Sequence, residues 1–293
     1  MYFDILVIPE HHCLNDQVIE IEDYKVIQFN RQTTGNLRHG SGGIAIAMHN
    51  SLLDTHTIVA TIKGSDGQLA IKLKHLKTDF TIGIMGLYLS PDSFHYGQDA
   101  EGYFNESSVL WDDLGDCDLL VGAGDVNART KQLLDYIPDI DGDLIPERIN
   151  PDKVKNPHGD AFLTFLKGNR AIILNGRITP QFNNFTFVTS RGCSVPDYIF
   201  SPVNHLHFCK EMKTLLITDL VNSSGLKPPQ TIPDHSILQG TFITSLNQSS
   251  NNDQPFKSAP KSQQSQPSKR NLKKINTETF FMSEEVHQQV VST

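Results

Sequence analysis

The sequence predicts an α/β fold with buried β-strands at its centre, and three observations predict it. Leu119, Leu120 and Val121 form a short continuous apolar run, which is typical of a strand buried on both faces. Residues 104–114 have apolar side chains at helical spacing and lead directly into this run. Polar residues follow several such runs, at the strand ends where open α/β sheets place their chemistry.

The composition is that of an ordinary globular protein. The 293 residues are 38% hydrophobic and 20% charged, which allows one large domain or two modest ones. No apolar run approaches the ~20 residues that span a bilayer, and the N-terminus does not read as a secretory signal. The cysteines form no Cys-x-x-Cys pair, which predicts reduced thiols in an intracellular protein of the nucleus or cytoplasm. They are Cys13, Cys117, Cys193 and Cys209.

The charge is uneven along the chain. The formal net charge is −8, but residues 245–293 carry six basic and four acidic residues, so residues 1–244 hold a net charge of −10. This acidic body argues against broad non-specific binding of nucleic acid and suits a carboxylate cluster that needs a cation. Ser, Gln, Asn, Pro and Lys dominate residues 245–293, which predicts a disordered polar tail. Its basic run at 269–274 is interpreted as solvated tail, with a nuclear signal or a phosphate-binding arm as alternatives.

The first predicted strand covers residues 3–8 and places Glu10 just past its end. By itself Glu10 is better explained as a solvated loop acid. The neighbouring His11, His12 and Cys13 resemble metal ligands, but adjacent residues of an extended chain point in opposite directions, and no second Cys/His pair has zinc spacing. A zinc site is therefore not predicted.

Further strands are predicted at residues 24–29, 44–48, 57–61, 69–73 and 80–89. The Gly-rich residues 39–43 precede a strand rather than a helix, so they indicate a flexible strand entry and not a phosphate-binding loop. Tyr88 lies near the end of the last strand, where a Tyr is more often half-buried packing than catalysis.

The apolar run at 119–121 continues into the sequence GAGDVN, which ends at Asn127. Because strand side chains repeat with period two, Asp125 and Asn127 fall on one face if the strand extends that far. A carboxylate and an amide then meet at the rim of the sheet, which suits a metal ion or an oriented water. The alternative is a turn, since Gly, Asp and Asn are the commonest turn residues, and these residues alone favour the turn.

The second half of the chain adds two more polar strand ends, at Asp197 and at the pair Asp234 and His235. Residues 130–157 are predicted as a long polar surface loop and residues 159–168 as a second helix. The remaining predicted strands are 171–174 and 185–188, the stretch 193–200, weaker candidates at 206–208 and 215–220, and the closing stretch 233–238.

The polar strand ends together supply the groups needed for Mg²⁺-assisted phosphodiester hydrolysis. Mg²⁺ prefers hard oxygen ligands and keeps several waters, so one or two carboxylates are enough to hold it. A carboxylate can activate the attacking water, an amide can direct it, and a charged His paired with an Asp can stabilise the transition state. The candidate residues are Glu10, Asp125, Asn127, Asp197, Asp234 and His235.

In these motifs the chain resembles the endonuclease/exonuclease/phosphatase superfamily, and within it most of all the apurinic-type endonuclease domains of non-LTR (LINE-like) retrotransposons. The resemblance covers residues 3–243. It is carried by residues 3–10, 42–46, 88–91, 124–129, 156–159, 173–176, 185–187 and 194–198, and by Asp234 with His235.

The resemblance implies a four-layer α/β sandwich, in which two mixed β-sheets pack face to face with helices outside. It implies Mg²⁺ as the cofactor, with Mn²⁺ as an alternative. Glu10 would be the metal ligand, and Asp234 would assist at the metal or the water. DNA is the implied partner, and neither a membrane nor an obligate protein partner is expected.

The resemblance also assigns catalytic roles. Tyr88 would contact the scissile phosphate, Asp125 would activate the water, and Asn127 would position that water. Asp197 would keep His235 oriented, and His235 would bind the phosphate. The implied function is a Mg²⁺-dependent endonuclease that nicks DNA, derived from a retrotransposon or part of a truncated reverse-transcriptase polyprotein.

The sequence departs from the family pattern in three ways. The family has a first strand and a helix before the segment that matches residues 3–10, so residues 1–244 are expected to form a domain without them, followed by the tail at 245–293. Pro233 stands where the family usually has Ser, and no reverse-transcriptase region follows. Two alternatives therefore stay open: an inactive remnant of the domain, or a phosphomonoesterase or phospholipid-headgroup hydrolase with the same fold.

Overall fold

The computed structural model describes residues 3–32, 40–141, 145–179, 184–216 and 233–244, and the backbone of residues 277–282. The strands are β1 (Ile5–Pro9), β2 (Tyr24–Phe29), β3 (Ile44–His49), β4 (His56–Lys63), β5 (Gln68–His75), β6 (Thr81–Tyr88), β7 (Leu119–Asp125), β8 (Ala171–Ile173), β9 (Phe187–Thr189), β10 (Gly192–Ser194), β11 (Asp197–Pro202), β12 (Cys209–Leu215), β13 (Ile237–Ile243) and β14 (Thr277–Met282). The helices are α1 (Asn50–Leu53), α2 (Ala100–Asp113), α3 (Pro138–Asp141) and α4 (Pro157–Gly168), with 3-10 turns at His95–Gly97 and Val203–Phe208.

Two six-stranded mixed sheets form the body of the molecule. The first has the strand order β12-β13-β14-β1-β3-β2 and the second has the order β4-β5-β6-β7-β11-β8, while β9 and β10 form a separate hairpin. Most neighbours are antiparallel, and the pairs β1–β14 and β6–β7 are parallel. The predicted α/β sandwich of two mixed sheets is confirmed.

The sheets pack face to face because their strands are apolar on the inner side. β7 is buried along its whole length, as its apolar run predicts, whereas the edge strand β4 alternates between buried or half-buried and exposed residues. Side chains from both sheets share one core, which includes Ile5, Val7, Ile46, Leu69, Ile84 and Val121. None of the helices in the described residues is long and apolar enough to cross a membrane.

The outer faces of the two sheets are covered differently. Helices α2 and α4 pack on the second sheet, where the Trp111 ring stacks on Phe200 with 5.2 Å between centroids. The outer face of the first sheet, at Leu6 and Ile8, is instead covered by side chains of an irregular segment that includes Ile19. Among the described residues the helical layer therefore lies over the second sheet.

Strand β14 lies in the centre of the first sheet, parallel to β1 and antiparallel to β13. It belongs to the stretch that the composition assigns to a disordered tail, so the structure differs from that prediction for these six residues. The sequence TETFFM is rich in β-branched and aromatic residues, which favour strands. The rest of the predicted tail lies outside the described residues.

Two other sequence expectations need correction. Residues 206–208 belong to a 3-10 turn rather than a strand. The stretch 130–157 is not simply a surface loop, because several of its polar side chains are buried and paired. Asp135 forms a buried ion pair with Arg177, at 2.6 Å. Arg148 donates to Thr130 and to two backbone carbonyls, and these contacts replace the water that the polar groups would otherwise need.

Candidate active site

Sheet register brings three polar residues to adjacent positions at one end of the second sheet. In the parallel pair β6–β7, Tyr88 lies opposite Asp125, and in the antiparallel pair β7–β11, Asp125 lies opposite Asp197. Each residue is the first or last of its strand, so the side chains gather where the ladder ends. All three are buried.

Asp197 and His235 form a close pair. The two Asp197 carboxylate oxygens lie 3.1 and 3.0 Å from His235 Nδ1. An ionised carboxylate can only accept a hydrogen bond, so Nδ1 carries the hydrogen and Asp197 fixes the orientation of the ring. The ring also meets Phe187 edge to face, with 4.7 Å between centroids. The pairing between Asp197 and His235 is the one that the resemblance implies.

Asp125, Asp197 and His235 form a compact group of potential metal ligands. Each offers one ligand atom, and these atoms lie within 4.8 Å of one another. Two carboxylates and an imidazole could hold a divalent cation, and buried carboxylates so close together favour a neighbouring positive charge.

Glu10 reaches the site through Tyr88. It follows β1 with a positive φ of 50°, and its backbone N–H donates to the Gly43 carbonyl at 2.8 Å. The Tyr88 hydroxyl donates to Glu10 Oε1. Burial, followed by the negative charges of Glu10 and Asp125, raises the pKa of Tyr88. Tyr88 therefore stays protonated, and its one hydroxyl hydrogen is donated to Glu10.

Asn127 holds Asp125 in place. Its backbone N–H donates to Asp125 Oδ1 at 2.9 Å, and its Nδ2 donates to Asp125 Oδ2 at 3.3 Å. The same Nδ2 donates to the Leu89 carbonyl at 2.9 Å. Asn127 has a φ of 47°, in the left-handed region that Asn tolerates better than most residues. β7 ends at Asp125, so the strand does not extend to Asn127, and local hydrogen bonds join the two residues instead. The catalytic role of the pair stays a prediction.

Asp234 stands apart from this group. Its side chain is exposed, and its backbone carbonyl accepts a hydrogen bond from Val188 N–H at 2.8 Å. The potential metal ligands that the structure groups together are Asp125, Asp197 and His235, without Glu10 or Asp234. Metal ligation by Glu10 and by Asp234 stays a prediction.

A cleft of about 170 Å³ opens beside His235 and Asn127 and contains residues to which the sequence gave no role. Asn156 is the N-cap of α4, where its Oδ1 accepts from Gly159 N–H, and it accepts from Arg129 N–H as well. Its Nδ2 donates to the Asn127 carbonyl at 2.8 Å. The sequence signal that could have identified Asn156 is the Asn-Pro pair at the start of the helix. A cap residue at the mouth of a site can also fix a neighbouring loop.

Arg129 places a positive group in this cleft. Its guanidinium donates to both oxygens of Asp152, at 2.8 and 2.7 Å. Burial opposes the ionisation of Asp152, but hydrogen bonds from Arg129 and from the backbone N–H groups of Val154 and Val195 outweigh it and lower the pKa of Asp152. Sequence reasoning missed this pair because its partners are 23 residues apart and Asp152 lies in the stretch expected to be a surface loop.

Comparisons with known proteins agree on the fold. Neither protein-family models nor curated proteins match the sequence. Among solved structures, a 3′ phosphatase named NExo from Neisseria, bound to a product DNA hairpin, has a TM-score of 0.53 at 13% identity and covers 82% of this chain and 88% of its own. The AP endonuclease LMAP from Leishmania major has a TM-score of 0.53 at 11% identity and covers 80% of this chain and 76% of its own.

The chain has the endonuclease/exonuclease/phosphatase fold. A third structure, the endonuclease domain of the telomere-specific non-LTR retrotransposon TRAS1, has 16% identity and a TM-score of 0.45, and it covers 74% of this chain and 78% of its own. That TM-score is too low to test the retrotransposon assignment, which stays a prediction. The other likenesses establish the endonuclease/exonuclease/phosphatase fold and leave the reaction to be argued from the site.

Proposed function

We propose that this chain is a divalent-metal-dependent phosphodiester hydrolase that nicks DNA. The observation that carries the proposal is the group formed by Asp125, Asp197 and His235. Tyr88 lies beside Asp125 in the sheet, and His235 and Asn127 line an open cleft. It combines a candidate base, a positioned histidine and a neighbouring tyrosine hydroxyl, which are groups that hydrolysis of a phosphodiester uses.

The residues suit a hard cation. Glu10 accepts the hydrogen bond of the Tyr88 hydroxyl, and Asp125 lies opposite Tyr88 on the neighbouring strand. Asp197 offers a third carboxylate next to Asp125. Oxygen ligands of this kind are those that Mg²⁺ and Mn²⁺ prefer. A cation bound there would polarise a phosphoryl oxygen and stabilise charge on the leaving oxygen.

Each side chain then has a defined task. Asp125 takes the proton of the attacking water, and Asn127 keeps the carboxylate and the water aligned. In its protonated form, His235 donates from Nε2–H to a phosphoryl oxygen while Asp197 accepts from Nδ1–H. Tyr88 stays neutral because its pKa is raised, and its hydroxyl hydrogen turns from Glu10 to the same group when the phosphate binds. The negative charge that develops on the phosphoryl oxygens meets donors that are already in place, which is the main source of catalysis in such sites.

The size and openness of the cleft support a polymeric substrate. At about 170 Å³ it is smaller than the roughly 300 Å³ at which pockets begin to enclose a whole small-molecule ligand. One phosphodiester group of a longer strand suits such a space. The product DNA hairpin bound by the Neisseria 3′ phosphatase, which has the same fold, supports DNA as the substrate class.

The test is nicking of supercoiled plasmid with Mg²⁺, with Mn²⁺ and with EDTA. The wild-type chain should nick only with metal, and Asp125→Asn and His235→Ala should each lower the rate by at least about 10²-fold, because each removes a group that acts in the transition state. Asp79→Asn is the matched control, since Asp79 is exposed on the turn before the opposite end of β6.

Comparable nicking by Asp125→Asn and by the wild type would contradict the proposal. A wild-type chain that is folded by circular dichroism and does not nick would point to an inactive remnant or to another phosphoester. Phosphomonoesters and phospholipids are then the substrates that decide between these two alternatives.

A further inference from the structure

The loop after β6 displays two aromatic side chains to solvent. Among the large hydrophobic side chains exposed in the described part of the chain, the aromatic ones are Phe94 and Tyr96, with exposed fractions of 61% and 53%. Two exposed rings on one short loop form an apolar surface of the kind that marks binding sites. The loop begins at Pro91 and Asp92, which line the candidate catalytic cleft.

The backbone of this loop is held in place. A Cβ at Gly97 would collide with the carbonyl oxygens of Ser90 and Pro91, so the chain folds tightly back on itself there. The Gly97 carbonyl accepts a hydrogen bond from the buried His158 Nε2 of α4, at 2.7 Å. The exposed rings are therefore carried by a fixed turn.

A buried arginine supports one face of the Tyr96 ring. The Arg31 guanidinium carbon lies 4.2 Å from the Tyr96 centroid and 5.7 Å from the Tyr88 centroid. Arg31 is itself fixed, because its Nε pairs with Asp66 at 2.5 Å and a terminal nitrogen donates to Ser90 at 3.0 Å. Tyr96 is thus oriented before any ligand arrives, by a cation that also touches the candidate catalytic tyrosine.

Tyr96 also lines a cleft of about 220 Å³, whose other walls include Tyr88 and three acids. Asp66, Asp99 and Glu106 line it, and the charge of Arg31 is already matched by Asp66. A phosphate would meet net repulsion in this cleft. A flat neutral ring with N–H donors would find hydrogen-bond acceptors and an aromatic surface.

We propose that Tyr96, supported by Arg31 and on the same loop as Phe94, is a stacking platform for a nucleobase next to the phosphodiester that the catalytic cleft receives. This proposal rests on the proposed function and names the part of the substrate, other than the phosphate, that the chain recognises. Base stacking on aromatic side chains does not depend on sequence and needs no basic surface. That property suits a chain with a formal net charge of −8, which gains little from phosphate contacts.

The experiment measures binding without hydrolysis. Fluorescence anisotropy in EDTA compares a single-stranded 12-mer DNA with a 12-mer of abasic tetrahydrofuran residues, which has the same charge and no bases. The wild type should bind the base-bearing strand about 5- to 100-fold more tightly. Tyr96→Leu should lose most of this difference, whereas Tyr96→Phe, which keeps the ring, should retain it. Because stacking releases no counterions, the difference should persist between about 50 and 200 mM salt.

Two controls make the result specific. Val59→Ala, on the far edge strand β4, removes another exposed apolar side chain and should leave binding unchanged. Thermal unfolding of each variant shows whether it remains folded. Equal affinities of Tyr96→Leu and Tyr96→Phe for the base-bearing strand would overturn the platform, as would a wild type that does not prefer that strand.

Plasmid nicking by the same preparations separates this proposal from the proposed function. Metal-dependent nicking together with equal binding by the two Tyr96 variants overturns the platform and leaves the hydrolase assignment standing. Ring-dependent binding without any hydrolysis supports the platform and contradicts the hydrolase assignment.

Discussion

At the scale of single residues, the site uses neutral donors to hold its charged groups. Both oxygens of Asp125 accept hydrogen bonds from Asn127, and the Asp197 carboxylate faces His235 Nδ1. Such bonds are stronger than those between neutral groups, because the acceptor is charged and the surroundings exclude water. The two carboxylates can therefore keep their orientation although they lie on neighbouring strands.

We predict that Asp152→Asn lowers the stability of the protein in a pH-dependent way. The side chain of Asp152 is 1% exposed, and losing its charge weakens two hydrogen bonds to Arg129, which should cost about 1–3 kcal/mol of unfolding free energy near neutral pH. The pKa of Asp152 is lowered in the folded protein, so this stabilisation is fully present above the unfolded pKa of about 3.9 and is lost as pH falls through the folded value.

Urea unfolding of both proteins between about pH 3 and pH 7 measures this difference. The difference in unfolding free energy between the wild type and Asp152→Asn should be largest above about pH 5 and should disappear in acid. A gap that stays constant across the series would show that the Asp152 charge does not contribute. Asp79→Asn, at an exposed ion pair, is expected to leave the pH dependence of stability unchanged.

At the scale of elements, α4 is tied to the site through its N-cap. Asn156 Oδ1 satisfies the first turn of the helix, while Asn156 Nδ2 holds the carbonyl of Asn127. One side chain thereby links the start of a helix to the turn that positions the candidate base. The two roles use different atoms and can be separated by substitution.

We predict that Asn156→Ala lowers both stability and nicking, whereas Asn156→Asp lowers only nicking. Alanine removes the cap, which costs about 1 kcal/mol, and it also frees the Asn127 turn. Aspartate keeps a capping oxygen, so the stability should return to that of the wild type. It loses the donor to Asn127, so the rate should stay low, because a small displacement of a positioned catalytic group lowers the rate strongly. Thermal unfolding and plasmid nicking of the three proteins measure the two effects. Equal nicking rates for Asn156→Asp and the wild type would contradict the positioning role of Asn156.

At the scale of the whole molecule, the first sheet is completed by the far end of the chain. β14 lies between β1 and β13, so the sheet depends on pairing between residues more than 270 positions apart in the sequence. Without it, β1 and β13 would each expose a row of unpaired N–H and C=O groups next to the core. The family resemblance implies a central strand in this sheet, and in this structure a C-terminal strand lies at its centre.

We predict that deletion of residues 277–293 destabilises the protein, whereas deletion of 283–293 alone does not. The longer deletion removes β14 and opens both edges, which should lower the unfolding midpoint in urea and promote self-association. The shorter one keeps the strand. Urea unfolding and size-exclusion chromatography of the two truncated proteins test this, and equal midpoints would show that β14 does not contribute to the sheet.

The sequence by itself determined the local features of this protein. The apolar run at Leu119, Leu120 and Val121 predicts a strand buried on both faces, and β7 is buried throughout. Its polar end at Asp125 and Asn127 follows from the same pattern. These predictions hold because strand burial and turn chemistry depend on residues that are close together in the chain.

Only the tertiary structure decided which of these strand ends meet. Strand register places Tyr88, Asp125 and Asp197 side by side. The packed structure also buries Asp152 against Arg129, although Asp152 lies in an expected surface loop, and it leaves Asp234 exposed. It also inserts a C-terminal strand into the first sheet and turns Tyr96 over Arg31. Such contacts join residues tens to hundreds of positions apart, and their free energies depend on burial and pairing that exist only after the sheets have packed.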